Sequence, residues 1–383
     1  MLSPRRLFAP LCLLLVLLLA ACGASPTTNT ATPTAPPTGA SIAPTARGGA
    51  STATGAVPGA AGATGTPGGG ATASRPGASA TRPTGSPTRA ATAGATAVVT
   101  APRPQLPATV KDKDGRSVTV TDIGRIIVIT GDVAETIWAL GLGGNVIATD
   151  TSVTYPPEAQ RAPKIGYMRT LTAEGIIAAR PSVIIGGESA GPPAVLEQLR
   201  GAGIPVVIVA TPPTLAAPAQ KIREIGAALG VPGPAEALAT RTQSDIDAAR
   251  ALAARAMSKP RVMFLNVRGN QVQQISGTGA PAQAIIEAAG GIDAGAAAGI
   301  GGYKPITPEA LVAGQPDYYL LFQLGLDSVG GADGLLAIPG VAQTPAGQNR
   351  RILAYEDQLL LGLGPRTGQV LRELTLMLHP ELR

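Results

Sequence analysis

Apolar and polar positions change rhythm three times along this chain. Leu7 to Ala21 is a mostly apolar run broken by Pro10. From residue 24 to about 104 there is almost no apolar pattern, with Ile42, Val57, Val98 and Val99 as the only branched aliphatics. From Gln105 onward, short apolar runs alternate with stretches of helical period. Val110–Thr121 reads as a hairpin turning at Asp114-Gly115, and Arg125–Thr130 as a buried strand. Asp132 is placed to cap a helix from Val133, with Glu135 as its capping-box partner, and that helix ends near Gly141 and Gly143. Val146–Thr149, Ser182–Ile185 and Val206–Val209 read as further strands, the last two each preceded by an amphipathic helix. Pro234 to about Met257 has no internal glycine or proline and predicts one long helix. Beyond it come strands at Arg261–Val267, Tyr318–Phe322 and Ile352–Tyr355, and a final helix at about Thr367–Leu378. Strands alternating with helices predict an α/β fold with mostly parallel sheets.

An internal repeat divides this pattern into two lobes. Arg169–Gly187 (RTLTAEGIIAARPSVIIGG) aligns without a gap on Lys304–Phe322 (KPITPEALVAGQPDYYLLF), 135 residues further on. Arg169 meets Lys304, Thr172 meets Thr307, Glu174 meets Glu309 and Pro181 meets Pro316. Each copy predicts a threonine-capped short helix opening on a glutamate, followed by a buried strand. The layout expected is a segment 1–21, a segment 22–104, a lobe over 105–233, a linking helix over 234–258 and a second lobe over 259–383.

Composition changes the meaning of the first two segments. Arg5 and Arg6, a short apolar run and small residues at Leu19-Ala20-Ala21-Cys22 are the parts of an export signal, too short for a spanning helix of roughly 20 residues. Residues 24–104 are almost entirely Ala, Thr, Pro, Gly and Ser with no aromatic or acidic residue, a composition that predicts a disordered, fairly extended tether. Of the two cysteines, Cys12 lies in the signal, so the exported chain has neither an intramolecular disulfide nor a thiolate metal site. The net charge of +6 is also misleading: residues 1–104 hold seven arginines and no acid, which leaves 23 basic against 24 acidic residues beyond them. A near-neutral folded part with 3% aromatic residues offers nothing for nucleic acid.

The candidate chemistry lies in Gly166-Tyr167-Met168-Arg169. On an extended segment Tyr167 and Arg169 project to one side. A cation beside a phenol favours the phenolate, which is a hard ligand for ferric iron and a known axial ligand of haem. The same two residues alone also fit a rim tyrosine packed on an arginine.

The Leu-Ala-Ala-Cys ending resembles the lipobox of bacterial lipoproteins, which implies cleavage before Cys22, lipid on Cys22 and an extracytoplasmic protein anchored to the outer face of the cytoplasmic membrane. Two lobes on one long helix resemble the helical-backbone class of substrate-binding proteins, which serve importers for cobalamin, iron-siderophores and haem. Within that class the haem-binding members are the most similar. The resemblance rests on Thr130–Glu135, Pro163–Arg169 and Ala190–Pro193 in the first lobe. In the second it rests on Gly302–Pro305, Thr344–Gly347 and Leu361–Gly364. It implies a ligand cleft between the lobes and haem b as the transported ligand, not a catalytic cofactor. Tyr167 then binds the iron and Arg169 supports the phenolate. Arg268 stands near the place where some members carry a second-lobe histidine; an arginine is no ordinary iron ligand, so it pairs with a propionate, stacks on the porphyrin edge or is a solvated cleft residue. Lys304 is expected near a propionate or the phenolate, Tyr303 against the porphyrin, and both also fit a plain rim. Glu174 and Glu309 match the glutamates that dock on permease arginines of an ABC importer, and each also suits a helix start.

The only histidine, His379, is expected to decorate the end of the last helix. Without a nucleophile–base pair or a ligand cluster, the chain reads as a monomeric binding protein and not an enzyme. An iron-siderophore or cobalamin carrier, or a haem store without a transporter, remain the alternatives at this point.

Overall fold

A computed structural model describes residues 103–383; the expected signal segment, Cys22 and nearly all of the expected tether lie outside the described residues. Gln105 is tied down at once, its amide donating to the Gly230 carbonyl at 2.7 Å. The predicted hairpin forms from β1 (Ala108–Lys111) and β2 (Ser117–Val120), paired antiparallel across the Asp114-Gly115 turn.

The first lobe is built on β3 (Ile126–Ile129), β4 (Val146–Thr149), β5 (Val183–Gly187) and β6 (Val206–Val209). They form a parallel sheet in the order β4-β3-β5-β6. Successive residues of β3 enter different cores: Ile126 and Val128 face one way, Ile127 and Ile129 the other. A strand apolar on both faces is what a doubly covered parallel sheet requires.

The second lobe repeats this with β7 (Arg261–Arg268), β8 (Val272–Ser276), β9 (Ile292–Asp293), β10 (Tyr303–Pro305), β11 (Tyr318–Phe322) and β12 (Ile352–Tyr355). The order is β10-β8-β7-β11-β12, with β9 beside the start of β7. Val262 and Phe264 of β7 face one core, Met263 and Leu265 the other. This sheet is mixed: β8 and β10 run antiparallel to their neighbours and were not foreseen.

The long helix runs over Pro232–Ala253, starting earlier and ending earlier than expected. Ala235, Leu238 and Ala239 belong to the first lobe's core, whereas Ile246 and Ala249 belong to the second's.

The repeat holds in three dimensions. β5 and β11 lie 135 residues apart, and so do the short helices Ala173–Ala178 and Pro308–Gly314 in overlap. Thr307 caps its helix, its hydroxyl accepting from the Ala310 amide at 3.2 Å, but Thr172 makes no such bond. The first long helix also departs from expectation. It runs over Gly131–Ala139 with Thr130 at its cap position and no side-chain cap, because Asp132 and Glu135 are engaged elsewhere.

Each repeat helix is followed by a residue in the left-handed region, Arg180 (φ 47°) and Gln315 (φ 43°), again 135 apart. A Cβ in that region costs roughly 1–2 kcal/mol that glycine avoids, less glycine's own entropy cost. Arg180→Gly and Gln315→Gly should therefore each stabilise the protein by about 0.5–1 kcal/mol in urea unfolding. Valine at either position should do the opposite.

Candidate functional site

The segments that follow β3, β4 and β6 in the first sheet meet the segment that follows β12 in the second. Ligands of open α/β sheets bind outside such carboxyl ends.

Tyr167 sits beyond the carboxyl end of β4. Lys164 bridges Thr149, the Ile165 amide donates to the Thr149 carbonyl at 3.0 Å, and the Thr151 amide donates to the Gly166 carbonyl at 2.9 Å. The segment then turns. The Thr170 amide donates to the Tyr167 carbonyl at 2.9 Å, closing a turn over 167–170 that Gly166 enters at φ +104°. Tyr167 and Arg169 therefore do not share one side of an extended strand, as the sequence had led us to expect. Met168 between them packs on the core, and its carbonyl accepts from the Gly191 amide at 2.8 Å. The backbone is thus pinned on both sides while the Tyr167 side chain stays 44% exposed and Arg169 is exposed. Among the described residues, no hydrogen bond joins Arg169 to the Tyr167 hydroxyl.

On the opposing edge, Arg268 is the last residue of β7. Its Nη2 donates to Asp357 Oδ2, its Nη1 to the Val267 carbonyl at 2.9 Å, and its guanidinium lies 5.1 Å from the Phe322 ring centre. Burial raises the Asp357 carboxyl, and Arg268 opposes that shift. Arg268 is held in place yet partly exposed.

Tyr303 and Lys304 are set apart from it. They lie on the edge strand β10, with Lys304 opposite Ile275 and Ile275 opposite Leu265, two strands away from β7 and short of its carboxyl end. Both are exposed, and the partial burial of Tyr303 raises its phenol, which favours a neutral hydroxyl. β10 does match the Lys164–Gly166 segment in position: each lies at its sheet's outer edge just ahead of the repeat helix.

The strongest feature of the junction is a polar network between the lobes. Glu135, 4% exposed, accepts from the Arg366 amide at 2.9 Å and from Gln358 Nε2 at 3.2 Å, and pairs with the Arg366 guanidinium at 3.0 Å. The Gln358 carbonyl oxygen accepts from the Thr154 and Tyr155 amides, each at 3.3 Å, and the Thr154 hydroxyl donates to Glu356 at 2.6 Å. Arg366 stacks 3.6 Å over the Tyr155 ring. Lys221, fully buried, joins Asp132 at 2.5 Å and donates to the Gly362 carbonyl at 2.9 Å. Close approach demands glycine here: a Cβ on Gly131 would lie 2.2 Å from Gln358 Oε1. At the start of this edge, Thr130 carries a β-branched side chain at φ 85°, a strained state held by its amide donating to buried Asp150 at 2.8 Å. Behind the network, Trp138, Tyr155, Arg241 and Arg366 line a cavity of about 350 Å³ that none of the haem-binding candidates reaches.

The network was missed in the sequence, although it unites two of the quoted stretches, Thr130–Glu135 and Leu361–Gly364. One local signal was available: Lys221 falls on the apolar face beside Ile222 and Ile225. His379 ends the last helix as expected, but fully buried; a Cβ on Gly290 would lie 2.7 Å from its Nε2. Gly290 precedes β9, at the amino end of the sheet, so His379 faces away from the cleft. Glu174 and Glu309 are exposed in the first turns of the repeat helices.

Residues 126–359 match the family model described as periplasmic binding protein. The solved periplasmic heme-binding protein RhuT from Roseiflexus sp. RS-1 is 50% identical, covering 68% of this chain and 100% of that one at a TM-score of 0.67. The heme-binding protein HmuT is 34% identical, covering 73% of this chain and 93% of that one at a TM-score of 0.69. The uncharacterized ABC transporter substrate-binding lipoprotein YvrC of Bacillus subtilis (strain 168) is 26% identical over 284 residues, 72% of this chain and 86% of its own length. The vitamin B12-binding protein of Pectobacterium carotovorum subsp. carotovorum (strain PC1) is 30% identical over 122 residues, under half of its length.

Removing one partner of a buried ion pair strands the other. Glu135→Ala should cost about 3–5 kcal/mol in denaturant unfolding. Glu135→Leu/Arg366→Leu together should cost clearly less than the two single variants summed. A cost below about 1 kcal/mol for Glu135→Ala would show the network to be incidental.

Proposed function

Because the chain belongs to the periplasmic binding protein family, we propose that it captures haem outside the cytoplasm and passes it to an ABC-type importer. Haem is the cargo and not a catalytic cofactor. One observation carries the reading: over the full length of a heme-binding protein 50% identical to it, this chain has an exposed tyrosine on a pinned turn at the carboxyl edge of the first sheet.

In this reading Tyr167 binds the ferric iron through its phenolate oxygen, releasing the phenolic proton to solvent. The tight turn that Gly166 enters carries the phenol outward, and Met168 anchors it. Arg169 supplies positive charge beside it. Arg268 faces the cargo from the other lobe; Asp357 and Phe322 hold its guanidinium in a fixed plane, suited to a propionate or the porphyrin edge. Tyr303 and Lys304 flank the cleft from β10, and the neutral Tyr303 phenol acts as a packing or hydrogen-bonding group, not a second iron ligand. Glu174 and Glu309 dock on permease subunits. Cys22 carries the lipid that holds a monomeric protein on the outer face of the cytoplasmic membrane, with residues 22–104 as the tether. A cobalamin carrier is the second reading; the vitamin B12-binding relatives favour it, but the one described above matches only 32% of this chain.

Titration of the purified protein with ferric haem should give a saturable Soret band and a high-spin, tyrosinate-like charge-transfer band. Tyr167→Ala should lose or shift both. No saturable binding by the wild type would favour cobalamin or a siderophore, and a spectrum indifferent to the substitution would remove Tyr167 as the ligand. Cys22→Ala should move the exported protein from the membrane pellet to the soluble fraction.

A further inference from the structure

Two exposed aliphatic side chains occupy matched positions on the two lobes. Ile177 is 39% exposed and Val312 is 50% exposed. They are 135 residues apart, the offset of the repeat. In each repeat helix the residue just before, Ile176 or Leu311, is 1% and 0% exposed and belongs to its lobe's core. Each short helix therefore seats one aliphatic side chain inside and turns a second one to water.

That second side chain follows the exposed glutamate by three residues, at Glu174 and Ile177 and at Glu309 and Val312. Residues three apart share a helix face. The next residue is an exposed alanine in both copies, Ala178 and Ala313. The solvent face of a surface helix is ordinarily polar. A single exposed aliphatic side chain needs no explanation. The same departure at both copies, beside the same acid, does.

Resting on the reading that Glu174 and Glu309 dock on an importer, we propose that each lobe carries a two-part patch, a carboxylate with an aliphatic side chain one turn along. The partner is two copies of one permease subunit, each presenting a basic group beside an apolar recess. Two patches alike in chemistry and in register fit one receptor surface used twice. The parts act differently. The exposed carboxylates set encounter rate and orientation and are screened by salt. The aliphatic pair loses its remaining water contact on docking, which slows dissociation and is insensitive to salt.

The test uses the full-length protein and the purified permease–ATPase complex with which it supports haem uptake in proteoliposomes. Docking to that complex in nanodiscs is followed at low and high salt. Ile177→Ser and Val312→Ser should each weaken docking about tenfold at both salt concentrations, chiefly through faster dissociation. Ile177→Leu and Val312→Leu should restore it. Glu174→Gln and Glu309→Gln should weaken docking at low salt and flatten its salt dependence. Haem titration and urea unfolding should be unchanged in all of these surface variants. Serine variants that dock like the wild type while the glutamine variants fail would overturn the apolar half and leave the docking glutamates standing. An effect at Ile177 with none at Val312, or the reverse, would overturn the paired receptor. A wild type that does not dock, or docking indifferent to all four positions, would remove the docking reading and this proposal with it.

Discussion

A carboxylate buried where two lobes meet cannot be left without a counter-charge, and Glu135 finds its own only on the far lobe. Burying an ionised group without partners costs several kcal/mol or more. Here the Arg366 guanidinium, the Arg366 amide and Gln358 Nε2 share that task. Much of the local sequence follows from it. Gly131 has no side chain because Gln358 occupies the place a Cβ would take, and Gly364 lies against the Glu135 carboxyl, 3.5 Å from where its Cβ would be. Tyr155 covers one face of Arg366, and Thr154 orients Glu356. Lys221 makes a second tie of the same kind. The two carboxyl edges are thereby tied to each other at one spacing. Preorganisation of that kind lowers the ordering cost of binding.

Much of this architecture was legible because its determinants are local. β3, β5, β7 and β11 are short apolar runs with turn signals on both sides, and their both-face burial follows from that pattern. The repeat was legible to the residue, but the left-handed residue that closes each short helix was announced by no side-chain pattern.

What escaped depends on partners far along the chain. Val272–Ser276 carries two glutamines, and Tyr303–Pro305 contains a proline; each is a strand only because its neighbour offers a ladder. Asp132 and Glu135 fit a capping box in spacing, but Lys221 and Arg366 outbid the local amides for them. At the candidate site the sequence offered residue types but not their geometry. Met168 is drawn into the core, which bends Tyr167 and Arg169 into a turn in place of an extended pair. The Asp357 and Phe322 that hold Arg268 come from two other strands' ends and leave no trace near residue 268.

The linking helix could be taken for a strut between finished bodies. Its side chains say otherwise, since Ala235, Leu238 and Ala239 complete one core while Ile246 and Ala249 complete the other. Neither half can close its interior without a length of the same rigid rod. Folding of either half fixes the rod on which the other condenses, which couples them into one cooperative unit. A calorimeter should then register a single melting transition in a protein whose sheets are separate, and a chain nicked within the rod should lose both halves together.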